Sequence, residues 1–263
     1  MQFVDTHCHI HDPEFFTAMQ AEEALEQAVK AGVTRMICVG TSLEDSRRAV
    51  AFAEAHPENC WASIGIHPHE GSKLTPNEIT RHLEELSILA EHPSVIAVGE
   101  CGLDFYYNDK NDHLTAQEVL LKGQSEIALN YTLTITFHVR EAFDEFWRIF
   151  EGYKGVKGVL HSFTDRSAHL ERALQHQLLV GINGIATFTT HNWQRDLFKA
   201  VKLDNFVLET DSPFLTPKPI RGTMNAPENV IYITKFLADL RSESEEVIAK
   251  ATTANATKLF NLV

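Results

Sequence analysis

The chain has 263 residues, 44% of them hydrophobic and 22% charged, which is the composition of an ordinary globular protein. The formal net charge of -13 argues against broad, sequence-independent binding of duplex DNA, because such binding depends on lysine and arginine. A phosphate-bearing substrate is still possible, since bound divalent cations reverse the local field. The apolar runs are too short to span a bilayer, and the first residues do not resemble a signal peptide, so we expect a cytoplasmic protein that does not enter a membrane.

Short β-rich runs alternate with amphipathic stretches along the chain. The runs predict strands at residues 3–5, 35–39, 60–64, 95–98, 133–137, 158–160, 178–181 and 206–208. The stretches predict helices at residues 21–31, 43–56, 76–91, 116–130, 142–150, 166–176, 194–201, 228–240 and 244–260. Thr75 followed by Pro76 is typical of a helix N-terminus.

Strands that alternate with helices predict parallel pairing. The length fits a (β/α)8 TIM barrel, for which about 250 residues is typical, and we expect one domain over residues 1–263. A doubly wound open sheet is the second interpretation. The first predicted strand is not followed by Gly-x-Gly-x-x-Gly, so nothing favours a dinucleotide-binding form of that sheet.

Fourteen histidines are the unusual feature of the composition, and several stand at the ends of predicted strands. In a barrel the carboxyl ends of the strands converge on one rim, where catalytic residues lie. Four imidazoles and two carboxylates have this placement: His7, His9, Glu100, His138, His161 and Asp211. Such a nitrogen- and oxygen-rich set suits Zn, Mn, Co or Mg, so the sequence predicts a site for divalent metal ions.

The spacing of the individual candidates supports this prediction. His7 and His9 face the same side of a strand and can reach one ion, although such a pair alone more often consists of solvent-facing loop residues. Glu100 follows an apolar run and is flanked by glycines. A buried carboxylate is costly without a partner, and a position between two cations would supply one. Asp211 can bind an ion and also accept a proton from the attacking water.

Three further residues are candidates for binding the substrate. His67 belongs to a second His-x-His pair, whose central Pro68 alters the local geometry, so we favour contact with substrate or with a ligand over direct metal binding. Arg140 follows the fifth predicted strand, and Arg221 lies in the loop after the eighth. Arginine at the rim suits an anionic substrate such as a phosphate. From spacing alone, an ordinary surface salt bridge explains each arginine equally well.

Several segments, taken in order, resemble the successive signatures of one family. They are Asp5-Thr6-His7-Cys8-His9, Gly65-Ile66-His67-Pro68-His69, Gly99-Glu100-Cys101-Gly102-Leu103-Asp104-Phe105-Tyr106, His161-Ser162-Phe163 and Glu209-Thr210-Asp211-Ser212-Pro213-Phe214. Together they look like the TatD family of metal-dependent deoxyribonucleases and hydrolases. Each segment alone is a weak signal, but their order covers nearly the whole chain and makes the resemblance specific.

The resemblance implies a barrel of the amidohydrolase type that holds two divalent metal ions (Mg, Mn or Zn). It implies hydrolysis of phosphodiester bonds at DNA ends by metal-activated water, with DNA or another phosphodiester as the partner. Carried over position by position, it implies a first ion held by His7, His9, Glu100 and Asp211. A second ion is then held by Glu100, His138 and His161.

Two other functions remain open at this point. The same ions could polarise a carbonyl group, which would make the protein an amidohydrolase or esterase acting on a small carbonyl or aminoacyl-ester substrate. A metal-binding regulatory protein without catalysis is the third interpretation, and the complete set of candidate ligands argues against it. We expect a monomer or a small homo-oligomer.

Overall fold

A computed structural model of the chain describes residues 1–106 and 110–262. The strands are β1 (Phe3–Cys8), β2 (Val33–Val39), β3 (Cys60–Ile64), β4 (Val95–Asp104), β5 (Thr134–Arg140), β6 (Gly158–Leu160), β7 (Leu179–Ile182) and β8 (Phe206–Leu208). The helices are α1 (Ala18–Lys30), α2 (Leu43–Ala55), α3 (Pro68–Gly71), α4 (Pro76–Leu89), α5 (Lys110–Tyr131), α6 (Phe143–Phe150), α7 (Ser167–Gln175), α8 (Ile185–Phe188), α9 (Asn192–Ala200), α10 (Val230–Arg241) and α11 (Glu245–Phe260).

The strands belong to one eight-stranded sheet and follow one another in chain order from β1 to β8. The last strand returns to the first: the backbone N–H of Asp211, just past β8, donates to the carbonyl of His7 over 2.8 Å. Cys8 and Ser212 form a parallel bridge beside this bond. Strands in this order with helices between them define a (β/α)8 barrel, so the predicted fold class is confirmed.

The chain divides into two compact units. The first comprises Met1–Cys38, Glu58–Cys60 and Ser162–Val263, and the second comprises Val39–Pro57 and Trp61–His161. The predicted single domain over residues 1–263 stays a prediction.

Each unit has its own apolar packing. In the first, α11 packs against β1 and α10, and its Ile248 and Phe260 are buried. In the second, the ring of Phe137 on β5 contacts the rings of Phe146 and Phe150 on α6, with centroids 5.1 and 5.6 Å apart. Edge-to-face aromatic contacts of this kind add to the hydrophobic burial and fix the helix against its strand.

Side-chain caps set the starts of two helices. The Thr75 hydroxyl accepts from the N–H of Glu78, whose carboxylate in turn accepts from the N–H of Thr75, so the helix start predicted at Thr75 is confirmed. Thr17 and Gln20 form the same reciprocal box at α1. Helix α1 therefore begins at Ala18, three residues before the predicted start at 21.

Three strands run three or more residues further than predicted. Strand β1 continues to Cys8, β4 to Asp104 and β5 to Arg140, whereas the predicted strands end at residues 5, 98 and 137. The polar residues in these extensions pair with neighbouring strands: Cys8 lies opposite Cys38, and Asp104 lies opposite Arg140. His7 and Glu100 lie between these paired positions, each at a register irregularity of its strand. Backbone hydrogen bonds still hold both residues: the carbonyl of His7 accepts from Asp211, and the N–H of Glu100 donates to the carbonyl of Gly40 over 3.2 Å.

Candidate metal-binding clusters

The first candidate cluster, called here the His7 cluster, comprises His7, His9 and Asp211. The Nε2 atoms of His7 and His9 are 3.2 Å apart, and they lie 3.6 and 3.5 Å from Oδ1 of Asp211. The three potential ligand atoms all lie within 4.8 Å of one another. Two imidazoles and a carboxylate at this spacing suit a divalent ion such as Zn or Mn.

A buried carboxylate connects the two segments that carry this cluster. Asp5 is 0% exposed and accepts from the backbone N–H of Thr210 over 2.8 Å and of His7 over 3.2 Å. Burial raises the pKa of Asp5 to about 7, although these hydrogen bonds oppose the rise. Asp211 itself has a positive φ of 57°, which turns the chain directly after β8. Asp5 therefore positions both ligand-bearing segments without being a member of the cluster.

The second candidate cluster, called here the Glu100 cluster, comprises Glu100, His67, His138 and His161. Oε1 of Glu100 lies 2.6 Å from Nδ1 of His138, 3.7 Å from Nε2 of His67 and 3.7 Å from Nε2 of His161. The ligand atoms of His67, Glu100 and His138 lie within 4.8 Å of one another. One buried carboxylate is thus the common neighbour of three imidazoles, a donor set that again fits a divalent ion.

Short-range backbone structure brings His67 into this cluster. His67 is the N-terminal cap of the short helix α3, and its Nδ1 accepts from the N–H of His69 over 3.1 Å. This leaves Nε2 directed at Glu100. The structure thus places His67 as a potential ligand, and its predicted role in substrate binding stays a prediction.

The glycine before Glu100 permits a close approach of two strands. Gly99 has a φ of 127°, and a Cβ atom there would lie 2.2 Å from the carbonyl oxygen of Thr136 on β5. Only glycine fits this backbone conformation and spacing. The flanking glycine therefore brings β4 close to β5, which carries His138.

Asp104 and His69 support the Glu100 cluster and were missed as site residues in the sequence. Oδ2 of Asp104 lies 3.0 Å from Nε2 of His138 and 3.1 Å from Nε2 of His69. A carboxylate on the far nitrogen of an imidazole orients the ring and raises its basicity. The even separation of Glu100 and Asp104 along one strand was the signal that could have found Asp104. Glu209, likewise quoted only as part of a motif, is buried and accepts from the N–H of Ser162 over 2.6 Å.

The pKa values of the two partly exposed histidines of the Glu100 cluster are shifted in opposite directions. Burial, together with the charge of His138, lowers the pKa of His67 to about 3. Burial also disfavours the charged form of His138, but its hydrogen bonds to Asp104 and Glu100 outweigh that cost and raise its pKa to about 9. A proton on His138 therefore neutralises part of the carboxylate charge when no cation is bound.

This proton makes the stability of the metal-free protein depend on pH. The pKa of His138 rises from 6.5 to about 9 on folding, so its contribution is fully present below pH 6.5 and is lost as the pH rises through 9. We expect the free energy of unfolding in excess chelator to fall between pH 7 and 9 by on the order of 2 kcal/mol. Chemical denaturation at several pH values measures this fall. His138→Gln should remove most of this fall, and His82→Gln on α4 should retain it; a wild-type profile no steeper than that of His138→Gln would refute the assignment.

The two candidate arginines each stack on an aromatic ring. Arg140 is exposed, and its Cζ lies 3.6 Å from the ring centroid of Tyr106. Arg221 is also exposed; its Cζ lies 4.1 Å from the ring centroid of Phe188, and it donates to the carbonyl of Thr216 over 2.9 Å. Stacking holds a guanidinium in a defined orientation. Their roles in substrate binding stay predictions.

Comparison with known proteins agrees with this chemistry. Residues 4–261 match the family model described as TatD related DNase. The 3'-5' ssDNA/RNA exonuclease TatD of Erwinia tasmaniensis is 33% identical over 252 residues, which are 93% of this chain and 95% of the relative. The metal-dependent hydrolase YabD of Bacillus subtilis is 32% identical over 260 residues, with 98% of each chain covered. The structure of YJJV, a TatD homolog from Escherichia coli, matches with a TM-score of 0.89 at 30% identity, over 99% of this chain and 98% of that one.

The barrel, the imidazole and carboxylate clusters on and just after its strands, and these matches define a metal-dependent hydrolase. The chain belongs to the TatD family. The resemblance read from the sequence motifs and the predicted hydrolase class are thereby confirmed. Among the residues that the structure describes, no helix combines the length and the apolar character that crossing a bilayer requires.

Proposed function

We propose that this protein is a metal-dependent nuclease that hydrolyses phosphodiester bonds at the ends of single-stranded DNA or RNA. The observation that carries the proposal is the pair of imidazole–carboxylate clusters on and just after the strands of a TatD-family barrel. The exonuclease named among the relatives supports the choice of a phosphodiester over other esters. The two clusters supply the donors for two divalent ions, Mg, Mn or Zn.

Each cluster is proposed to hold one ion. His7, His9 and Asp211 are the donors in one, and Glu100, His67, His138 and His161 are the donors in the other. A bound divalent ion polarises a phosphoryl oxygen and lowers the pKa of water. The implied participation of Glu100 in holding the first ion as well stays a prediction.

The protein's own residues perform the remaining steps of the proposed reaction. A carboxylate oxygen of Asp211 accepts a proton from the attacking water as the water oxygen bonds to phosphorus. The bond from phosphorus to the leaving sugar oxygen breaks, and that oxygen takes a proton from solvent. Asp104 holds the imidazole of His138 in one orientation through its 3.0 Å contact. Arg140 and Arg221 offer guanidinium edges to the phosphates of the substrate chain.

Single-stranded substrate agrees with the overall charge. A net charge of -13 repels a second polyanion, and duplex DNA carries the higher charge density along its axis. A single strand presents fewer charges per unit length and exposes its bases, so it gains contacts that do not depend on charge. The expected cytoplasmic location and the monomeric or small oligomeric state stay predictions.

A panel of substrates tests the proposal. The purified protein is supplied in turn with Mg, Mn and Zn and with 5'-labelled single-stranded DNA, single-stranded RNA, blunt duplex DNA, and a set of carboxylic esters and amides. We expect metal-dependent shortening of the single strands from the 3' end, slower attack on the duplex, and negligible turnover of the esters and amides. Turnover of an ester or amide without any cleavage of nucleic acid would replace the proposal by an amidohydrolase or esterase function.

A further inference from the structure

Two exposed phenylalanine rings lie beside the His7 cluster. Phe15 is 39% exposed and Phe214 is 46% exposed, and their ring centroids are 5.1 Å apart with an interplanar angle of 78°. The ring of Phe214 also lies 6.2 Å from the ring of His9, at 67°. The next residue along the chain, Phe16, is 3% exposed and belongs to the core. Phe15 therefore faces water although the same turn can bury a phenylalanine.

Backbone turns that start at the cluster itself hold both rings. The N–H of Phe214 donates to the carbonyl of Asp211 over 2.8 Å. On the other segment, the backbone N–H of Asp12 donates to the carbonyl of His9 over 3.0 Å, and the N–H of Phe15 donates to the carbonyl of Asp12 over 3.2 Å. The two rings are thus tied by one or two hydrogen-bonded turns to the residues proposed to hold a metal ion.

Exposure of two adjoining phenylalanines has an energetic cost. Leaving a large apolar side chain partly in water forfeits part of the free energy that its burial would contribute. Paired exposed rings at a catalytic cluster mark a place where a flat apolar group is bound.

We propose that Phe15 and Phe214 form a binding site for a nucleobase, the base of the nucleotide next to the phosphodiester bond that is cleaved. The proposal rests on the nuclease function proposed above. The base stacks on the ring of Phe214, and Phe15, set nearly perpendicular, closes one side of the site. Aromatic stacking tolerates every base, since each has a π-face, so this site does not select a sequence.

This site selects single strands over duplex. A base inside a duplex is already stacked on both sides and paired at its edge, so its faces are not accessible to a protein ring. Only an unpaired terminal base can leave its neighbour and stack on Phe214. The aromatic pair therefore adds a physical basis for single-strand preference that is independent of the charge argument.

Cleavage kinetics on two oligonucleotides test the site. One carries an ordinary 3'-terminal nucleotide and the other carries an abasic 3'-terminal residue with the same backbone. We expect the wild type to prefer the ordinary end by about 5- to 100-fold in kcat/KM, the range that one stacked base supplies. Phe214→Ala should abolish that preference by slowing cleavage of the ordinary end alone, Phe214→Trp should keep it, and Ile88→Ala, an exposed apolar residue on α4, should change neither rate. Equal losses on both oligonucleotides, or no loss, would overturn the site.

A binding measurement separates this site from the nuclease proposal. An oligonucleotide with 2-aminopurine at its 3' end and a phosphorothioate linkage before it is titrated with protein and Mn. The neighbouring base quenches the probe in the free oligonucleotide, so transfer of the probe to Phe214 should raise the fluorescence, and Phe214→Ala should remove that rise. A rise without cleavage of any natural oligonucleotide would keep the nucleobase site and reject the nuclease function. Cleavage of natural ends without a rise would keep the nuclease function and reject the site.

Discussion

Replacement of Asp211 by asparagine is expected to lower kcat for phosphodiester hydrolysis by about 10²- to 10⁴-fold, the usual contribution of a positioned proton acceptor. The amide keeps the shape of the side chain and one oxygen 3.5–3.6 Å from the two imidazoles, but it does not accept a proton near neutral pH. The rate is measured at saturating metal on 5'-labelled single-stranded DNA, with the bound metal quantified in the same sample.

The control for this variant is Asp239→Asn, which removes an exposed carboxylate on α10 of the same unit. Its kcat should equal that of the wild type. If Asp211→Asn bound metal normally and retained the wild-type rate, Asp211 would not be the proton acceptor. If it lost metal and rate together, and high metal concentration restored the full rate, Asp211 would serve as a ligand only.

Replacement of Glu100 by glutamine is expected to weaken metal binding at the Glu100 cluster by more than 100-fold and to lower kcat/KM correspondingly. Glu100 is 5% exposed, and its Oε1 is the shared neighbour of His67, His138 and His161. A neutral amide removes the only negative charge that these three imidazoles share among the cluster's own members, and it cannot balance a cation in a buried position. Calorimetric titration of the metal-free variant with Mn or Zn measures the loss.

Asp104→Asn is compared with Glu100→Gln and should have a smaller effect on metal binding. Asp104 contacts His138 and His69 but is not itself counted among the proposed ligands, so its loss should weaken metal binding by about 10- to 100-fold, the usual effect of removing a partner that orients a ligand. An Asp104 variant with a larger loss than Glu100→Gln would mean that Asp104 is itself a ligand. Equal binding in wild type and Glu100→Gln would remove this cluster from the proposed mechanism.

The strand order and the fold class followed from the sequence, because parallel strands buried on both faces appear as short apolar runs at regular intervals. The ends of β1 and β4 could not be predicted from the sequence, since His7, Glu100 and Asp104 are poor strand formers. Their extended conformation depends on pairing with neighbouring strands and on Gly99, which permits the close approach to Thr136. The strand propensity of a residue does not report which partners it will have on a neighbouring strand.

The candidate ligands could be selected from the sequence because each stands shortly after a predicted strand. The contact between His67 and Glu100 was less predictable, because it depends on the cap that His67 forms on α3, a helix of only four residues. The exposure of Phe15 beside the buried Phe16 depends on the direction of a turn. Neither feature has a periodic signal in the sequence.

Metal removal followed by metal rescue tests the central claim most directly. The protein is purified without added metal, its metal content is determined, and its activity on single-stranded DNA is followed after chelation and after addition of Mg, Mn or Zn. The account predicts up to two equivalents of divalent metal per chain, loss of activity on chelation, and recovery with at least one of the three ions. Full nuclease activity in the chelated, metal-free protein would contradict it.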